Sequence, residues 1–180
     1  MKRIRLLLCL ALCLSGTVYG QVPGTGTILI GDTTNMFLMN SDIRLPCMNS
    51  FSSYTQQLVQ RNELNGEAMI TGIDFYCGYP SIVGCPGCTI YLANTYVPNM
   101  GGGMVGFGPM FEQVAVDSLV CTMGWNHYDF DTPFHYNGLG NLIIAVDCPM
   151  GLYGGKFYVG QRGILESWYA AARMPNFSKS

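Results

Sequence analysis

The sequence predicts an all-β protein, an antiparallel β-sandwich with at most one or two short helical turns, from three observations. Seven or eight short runs are rich in β-branched and aromatic residues, or alternate between apolar and polar residues, as strands do. Turn residues separate these runs, with 23 glycines and 9 prolines in 180 residues. Charged residues make up only 11% of the chain, less than half of the roughly 25% of an average domain. So little charge is typical of secreted β-proteins, and so many short strands favour a sandwich.

The N-terminal segment predicts export. Three basic residues lie within residues 1–5, and an apolar run, Leu6–Leu14, follows them. This run is shorter than the roughly 20 apolar residues that span a bilayer, and small residues follow it, as in a signal peptide. We therefore expect residues 1–20 to be a cleaved signal peptide. Residues 21–180 should form a single β-sandwich domain in the periplasm, at the cell surface or in the extracellular medium.

The charge balance excludes two classes of partner. Cleavage after residue 20 removes three of the nine basic residues and none of the eleven acidic ones, which leaves six basic and eleven acidic residues and a net charge of −5. Such a chain has no excess of positive charge to neutralise phosphates or anionic lipid head groups. We expect no nucleic-acid partner. We also expect no membrane-spanning segment after signal removal, because no other apolar run is long enough.

The strands follow in order from local patterns. Seven segments carry the clearest signals: Thr27–Ile30, Met69–Cys77, Thr89–Leu92, Val114–Val120, Asn126–Phe130, Leu142–Val146 and Lys156–Val159. In the second segment, Ile73, Phe75 and Cys77 share one face, which we expect to face the core. Asp74 and Tyr76 share the other face, as in a strand buried on one side.

Two later segments predict different surroundings. Alternation in the fifth segment places Tyr128 and Phe130 inward. The sixth segment is apolar at every position, so we expect a central strand covered on both faces. Between the third and fourth segments, Val97–Met110 is rich in glycine and predicts a loop.

Short helical turns are favoured in two places. Ser53 and Gln56 have capping-box spacing, and Tyr54 and Leu58 are spaced for contact on one helix face. Near the C-terminus, residues 164–174 are followed directly by a proline and predict one or two helical turns.

Six cysteines remain after signal removal and are the disulfide candidates: Cys47, Cys77, Cys85, Cys88, Cys121 and Cys148. Export places them in an oxidising compartment, where disulfides are expected, and six cysteines allow 15 connectivities. The C-x-x-C motif at Cys85 and Cys88 is also compatible with a redox dithiol or half of a zinc site. A redox pair lies at a helix N-terminus, and a zinc site needs a second ligand pair. The motif has neither in sequence, so we favour a structural role.

Aromatic residues supply the candidates for ligand binding, namely Trp168, Tyr169, Trp125 and Tyr136. On a surface with few charges, such rings would form a platform that stacks on the apolar faces of sugars. The alternative is that they fill the core.

A weaker candidate is a calcium site at His127, Asp129 and Asp131. These residues lie at alternate positions of one predicted strand, so their side chains share a face at spacings of about 6.8 Å. Two neighbours would suffice to hold calcium together with a loop carbonyl. The alternative is a solvated outer face. We expect no other cofactor.

The order of the motifs resembles a module of secreted, surface-associated proteins of Bacteroidetes-type bacteria. The resemblance rests on "TQQLVQRNELNGEAMITGIDFYC", "CTIYLANT" and "GWNHYDFDTPFHYNGLGNLIIAVD", and it covers residues 52–147. It implies a non-catalytic β-sandwich of jelly-roll type that serves as an adhesive or carbohydrate-contacting module, and it carries over no catalytic residue. It also implies that Ser53–Val59 is a strand, and we prefer this to the capping-box interpretation.

These observations predict a non-catalytic, exported surface or periplasmic module for binding or adhesion, without enzymatic activity, whose partner is a glycan or another surface protein. One alternative is a carbohydrate-binding domain with an aromatic platform, and a second is a secreted hydrolase. Exposed coplanar aromatic rings over a shallow face would favour the sugar-binding domain. A deep pocket in which a histidine meets a carboxylate would favour the enzyme.

Overall fold

A computed structural model describes residues 26–28, 30, 37–38, 52–64, 66–79, 84–150, 156–159 and 167–170. The predicted signal peptide and Cys47 lie outside these residues. The described part contains nine strands and one four-residue helix: β1 (Phe37–Leu38), β2 (Ser53–Val59), α1 (Arg61–Leu64), β3 (Ala68–Tyr79), β4 (Cys85–Thr95), β5 (Glu112–Leu119), β6 (Gly124–Tyr136), β7 (Asn141–Cys148), β8 (Lys156–Val159) and β9 (Ser167–Ala170). The predicted all-β class is confirmed. No helix among the described residues is long and apolar enough to cross a membrane.

The strands form two antiparallel sheets that enclose one core. The four-stranded sheet has the order β1-β8-β3-β6, and the five-stranded sheet has the order β5-β4-β7-β2-β9. Buried side chains from both sheets meet between them, including Cys77, Tyr128 and Phe134 from the first and Ile90 and Ile144 from the second. Burial of such apolar side chains stabilises the fold by about 1.5–3 kcal/mol each.

Alternation along the two longest strands follows the prediction. In β3, Cys77 is buried, and Ile73 and Phe75 pack against the core. In β6, Tyr128 is buried and Phe130 packs against the same core. The other face of each strand is therefore left for polar and aromatic side chains that meet solvent.

A bulge interrupts the pairing of β3 with β6. Ile70 pairs with Phe134, whereas Gly72 pairs with Asp129, so β6 has extra residues at this point. An irregularity of this kind bends a strand and redirects its side chains. Asp131 lies within this interruption, and one of its carboxylate oxygens accepts the Val116 N–H of β5 at 3.2 Å.

The glycine-rich loop is confirmed as a loop, and it covers the outer face of the five-stranded sheet as a third layer. Met100 of the loop is fully buried. It belongs to a buried cluster with Phe111, which directly follows the loop, and Ile143 of β7. Every residue of the central segment 142–146 is buried. This explains why β7 is apolar on both faces: one faces the other sheet and one faces the loop, as predicted for a central strand.

Gln56 of β2 fastens this loop. Its side chain is fully buried, its Nε2 donates to the Val105 carbonyl at 2.8 Å, and its Oε1 accepts the Val105 N–H at 2.8 Å. We expect Gln56→Ala to lower the free energy of unfolding by about 1–3 kcal/mol, because two backbone groups lose their partner. Urea denaturation measures this. Gln113→Ala, on an exposed strand position, is the control and should stay within about 0.5 kcal/mol of the parent. Equal effects of the two changes would contradict the fastening role.

The structure confirms one sequence-based element assignment and contradicts two others. Ser53–Val59 is strand β2, as the resemblance implied, and the helix begins only at Arg61. The predicted helical turn within residues 164–174 is wrong, because Ser167–Ala170 pairs with β2 as edge strand β9. The predicted strand at Thr27–Ile30 is also wrong, since its described residues carry no strand pairing, although Ile28 and Ile30 pack against the core.

A disulfide joins Cys77, near the end of β3, to Cys121, in the connection between β5 and β6. Their Cα atoms are 5.8 Å apart, within the range that a disulfide bridges without backbone movement. The pairing links two of the six predicted disulfide candidates.

Candidate ligand-binding face

The outer face of the four-stranded sheet presents an aromatic pair. Tyr76 of β3 and Trp125 of β6 are directly opposite each other in the antiparallel register. Their ring centroids are 5.1 Å apart and their planes meet at 79°, an edge-to-face arrangement that aromatic pairs favour. Trp125 is 52% exposed although it is a large apolar residue. A strand register that holds an exposed indole in a fixed place provides a surface for stacking.

A histidine bound by two carboxylates lies next to this pair on the same face. His127 Nδ1 is 2.9 Å from Asp74 Oδ1, and His127 Nε2 is 3.0 Å from Asp129 Oδ1. His127 and Asp129 lie two and four residues beyond Trp125, and Asp74 is the cross-strand partner of His127. Gly72 makes room for the ring, because a Cβ there would lie only 3.0 Å from His127 Cε1.

The two carboxylates favour the protonated form of His127. The hydrogen bond with Asp129 is the larger cause that raises the pKa of His127, and the one with Asp74 is the next. Both ring nitrogens donate at once only when the imidazole carries two protons. The ring is 55% exposed, so solvent screening keeps its contribution to stability small.

A shallow cleft of about 340 Å³ adjoins Trp125 and His127. The end of β5 and the β5–β6 connection form its other wall, with Asp117, Ser118 and Thr122. Asn126 lies at its base and is held rigidly, because its Oδ1 accepts the Thr122 N–H at 2.8 Å and its Nδ2 donates to the Thr122 carbonyl at 2.8 Å. The aromatic pair therefore borders hydroxyl and carboxylate groups on a rigid support.

A larger open depression of about 570 Å³ lies beside α1 and is lined by Gln60, Arg61, Asn62, Gly66 and Asn141. Among the described residues that line it, none is aromatic and none carries a carboxylate. We therefore place the candidate site at Trp125.

The four predicted aromatic candidates do not form one platform. The assignment of Tyr136 to ligand binding is wrong. Its side chain is fully buried and its hydroxyl donates to the Gly140 carbonyl, because β6 turns this position toward the core. Trp168 and Tyr169 belong to β9, in the other sheet, where the structure describes the backbone alone. Trp125 is the candidate that lies exposed beside polar groups, and its partner Tyr76 was missed because only the register reveals it.

The predicted calcium ligands are brought together only in part. His127 and Asp129 meet, but the bulge directs Asp131 to Val116 of β5. The third group is Asp74, and it binds the opposite ring nitrogen, so the imidazole separates the two carboxylates. This arrangement is a hydrogen-bonded triad, and its three side chains do not converge on a point where one ion would sit.

Elsewhere, sulfur atoms do converge. The Sγ atoms of Cys85, Cys88 and Cys148 all lie within 4.8 Å of one another, and all three residues are buried. The sequence hid this cluster because Cys148 is 60 residues from Cys88 and reaches it through the pairing of β4 with β7.

We expect the pKa of His127 in the folded protein to lie above the ordinary value of 6.5. The stabilisation from its partners is then fully present below that ordinary value and is lost as pH rises through the folded pKa. Histidine proton shifts in an NMR titration give the midpoint. Asp129→Asn should lower this midpoint most and Asp74→Asn less, whereas Asp131→Asn, the matched control, should leave it in place. A midpoint that no substitution moves would contradict the triad.

Neither described histidine stands in a deep pocket. His127 has both nitrogens engaged, and His135 Nε2 lies 2.6 Å from Glu67 Oε1 with both side chains more than half exposed.

Comparison with protein-family models, with curated proteins and with solved structures finds no match to this chain.

Proposed function

We propose that the chain is a non-catalytic, exported binding or adhesion module of the cell surface or periplasm, and that its ligand is a carbohydrate held at the Trp125 face. The observation that carries this proposal is the exposed indole of Trp125, fixed by Tyr76 at 5.1 Å and bordered by polar groups. An indole face stacks on the apolar face of a pyranose, and the nearby carboxylates and hydroxyls bind the sugar hydroxyls.

The charge of this face narrows the ligand class to neutral or amino sugars. Asp74, Asp117 and Asp129 contribute negative charge around Trp125, and His127 is the nearby group that takes up a positive charge. Sialylated, uronic or sulfated glycans would meet like charges at short range, which disfavours binding. A protonated amino sugar would instead gain attraction from the carboxylates and from the indole face.

The hydrolase alternative is weaker because of how His127 is bound. A general base needs a ring nitrogen within reach of the proton that it abstracts. Both nitrogens of His127 are occupied by carboxylates at 2.9 and 3.0 Å. The adjoining cleft is shallow, and the triad lies on an open strand face instead of a water-excluding pocket. These features support a binding role.

The strand order supports the jelly-roll part of the proposal. Strands β1 to β8 form the orders β1-β8-β3-β6 and β5-β4-β7-β2 within the two sheets, and β9 adds to the edge at β2. Successive strands change sheet except for β4 and β5, which pair with each other. Two sheets wound in this way are expected of a jelly roll with two Greek keys. The motif resemblance and the predicted signal peptide at residues 1–20 support export and surface association.

A glycan array probed with the full chain freed of residues 1–20 tests the proposal. We expect signals on neutral or amino glycans and none on their sulfated or uronic counterparts. The Trp125→Ala variant, applied at the same concentration, should lose these signals. An array without signals, or signals that persist in the variant, would contradict the proposal that this face binds sugars.

A further inference from the structure

The three-sulfur cluster contains one pair in close contact. Thr89 of β4 is opposite Asp147 of β7, so Cys88 and Cys148 are the next residues along the two antiparallel strands. Their Sγ atoms are 2.8 Å apart, closer than two sulfur atoms approach without a bond. Both side chains are buried, Cys88 to 1% and Cys148 to 0% exposure. The two sulfurs therefore share a site that water does not reach.

We propose that Cys88 and Cys148 form a second disulfide, which covalently joins β4 to β7 inside the core. Directly opposite residues of antiparallel strands have Cα atoms about 4.5–5.5 Å apart, inside the range of about 4.4–6.8 Å that a disulfide spans. The bond needs a sulfur separation of about 2.05 Å, so a small side-chain rotation closes it. The backbone register remains as it is.

A metal site explains the contact less well. Two thiolates on one tetrahedral zinc ion lie about 3.8 Å apart, because each Zn–S bond is about 2.3 Å long. The observed 2.8 Å between Cys88 and Cys148 is nearer to the disulfide distance. The disulfide between Cys77 and Cys121 also agrees with the oxidising compartment that the sequence predicts. The third sulfur, Cys85 Sγ, contacts the Met150 carbonyl and borders the pair.

Formation of the bond balances as a two-electron oxidation by a disulfide of a second molecule, such as oxidised glutathione or an exported dithiol oxidase. The Cys88 thiolate attacks that disulfide and releases one of its sulfurs as a thiolate, which gives a mixed disulfide. The Cys148 thiolate then attacks Cys88 Sγ and releases the second sulfur. Two cysteine thiols have become one disulfide, and the oxidant has become two thiols that carry the two protons.

The two bonds interlock along the chain. Cys77 pairs with Cys121, and the proposed bond joins Cys88 to Cys148. The chain segment between the two cysteines of each bond therefore contains one cysteine of the other bond. One bond fixes the end of β3, in the four-stranded sheet, to the β5–β6 connection. The other joins β4 to β7, two of the three inner strands of the five-stranded sheet. Both sheets would thus carry a covalent link.

The test is peptide mapping of the full chain freed of residues 1–20, equilibrated with reduced and oxidised glutathione, unfolded and alkylated in denaturant without reduction, and then digested. We expect the peptide of Cys88 to be linked to the peptide of Cys148, two hydrogens lighter than the sum of the two. Fragmentation at the Cys85–Pro86 bond shows which cysteine of the motif carries the link. Alkylated Cys88 and Cys148, or a link at Cys85 instead, would overturn the proposal.

Two variants and a metal assay complete the test. Cys85→Ser should retain the link to Cys148, and Cys148→Ser should abolish it and leave Cys88 alkylated. Zinc is measured by mass spectrometry on chain purified with added zinc and without chelator. We expect the chain to retain no zinc, because cysteines joined in a disulfide offer no thiolate ligand. The proposal would be overturned if the chain retained one equivalent of zinc and lost it when any of the three cysteines was replaced. The three sulfurs would then form a metal site instead of a disulfide.

Discussion

Replacement of Cys77 and Cys121 together by alanine is expected to lower the free energy of unfolding by about 4 kcal/mol. The bond closes a loop with a sequence separation of 44 residues, and loops of 15 to 100 residues give roughly 3 to 4.7 kcal/mol through the lost entropy of the unfolded chain. Alanine at both positions avoids a lone thiol that would exchange with other cysteines. Urea denaturation of the folded chain, with the slope fitted separately for each variant, gives the value.

The single variants are the internal control for this prediction. Cys77→Ala and Cys121→Ala each break the same bond, so each should lose nearly as much as the double variant. Additive losses from the two single changes would mean that the sulfurs act through packing alone. A loss under about 1 kcal/mol in the double variant would contradict a stabilising disulfide.

Replacement of Trp125 by alanine is expected to weaken glycan binding at least about 30-fold, because buried aromatic anchors contribute about 2 kcal/mol or more when a ligand covers them. The fold should persist, since half of the Trp125 side chain meets solvent and its loss opens no cavity in the core. Isothermal titration with the strongest glycan of the array measures the affinity, and thermal unfolding confirms that the variant is folded.

Tyr96→Ala is the matched control for Trp125→Ala. Tyr96 is also an exposed aromatic residue, at 76%, but it directly follows β4, a strand of the other sheet. Its removal should leave the affinity unchanged. If both variants lost affinity equally, exposed aromatic surface in general would explain binding, and the assignment to the Trp125 face would be wrong.

The fold was predictable from the sequence where the pattern was local. The alternation of Ile73, Phe75 and Cys77 and the apolar run in β7 each reflect which side of a strand meets the core. The C-terminal strand β9 was not predictable, because it forms by pairing with β2 more than 100 residues earlier and not from its own propensity. The loop that buries Met100 was likewise hidden, since loop composition does not show what a loop covers.

The candidate site was predictable only in part for the same reason. Trp125 and His127 share a face by alternation, and that part of the site follows from β6 alone. Tyr76 and Asp74 join them through the register between strands, which no local pattern specifies. Asp131 lies apart from His127 and Asp129 because of the bulge, and the alternation of residues in the sequence does not predict a bulge. The buried position of Tyr136 was predictable, because it lies in the same alternation as the inward-facing Tyr128 and Phe130 of β6.

The central claim, that a sugar binds at the Trp125 face, is tested most directly by the fluorescence of one indole. The chain contains two tryptophans, so Trp168→Phe leaves Trp125 as the sole reporter. Titration with the strongest neutral or amino glycan from the array should shift its emission to shorter wavelength and saturate at the concentration that calorimetry gives. Binding measured by calorimetry with no change in Trp125 emission would contradict the claim.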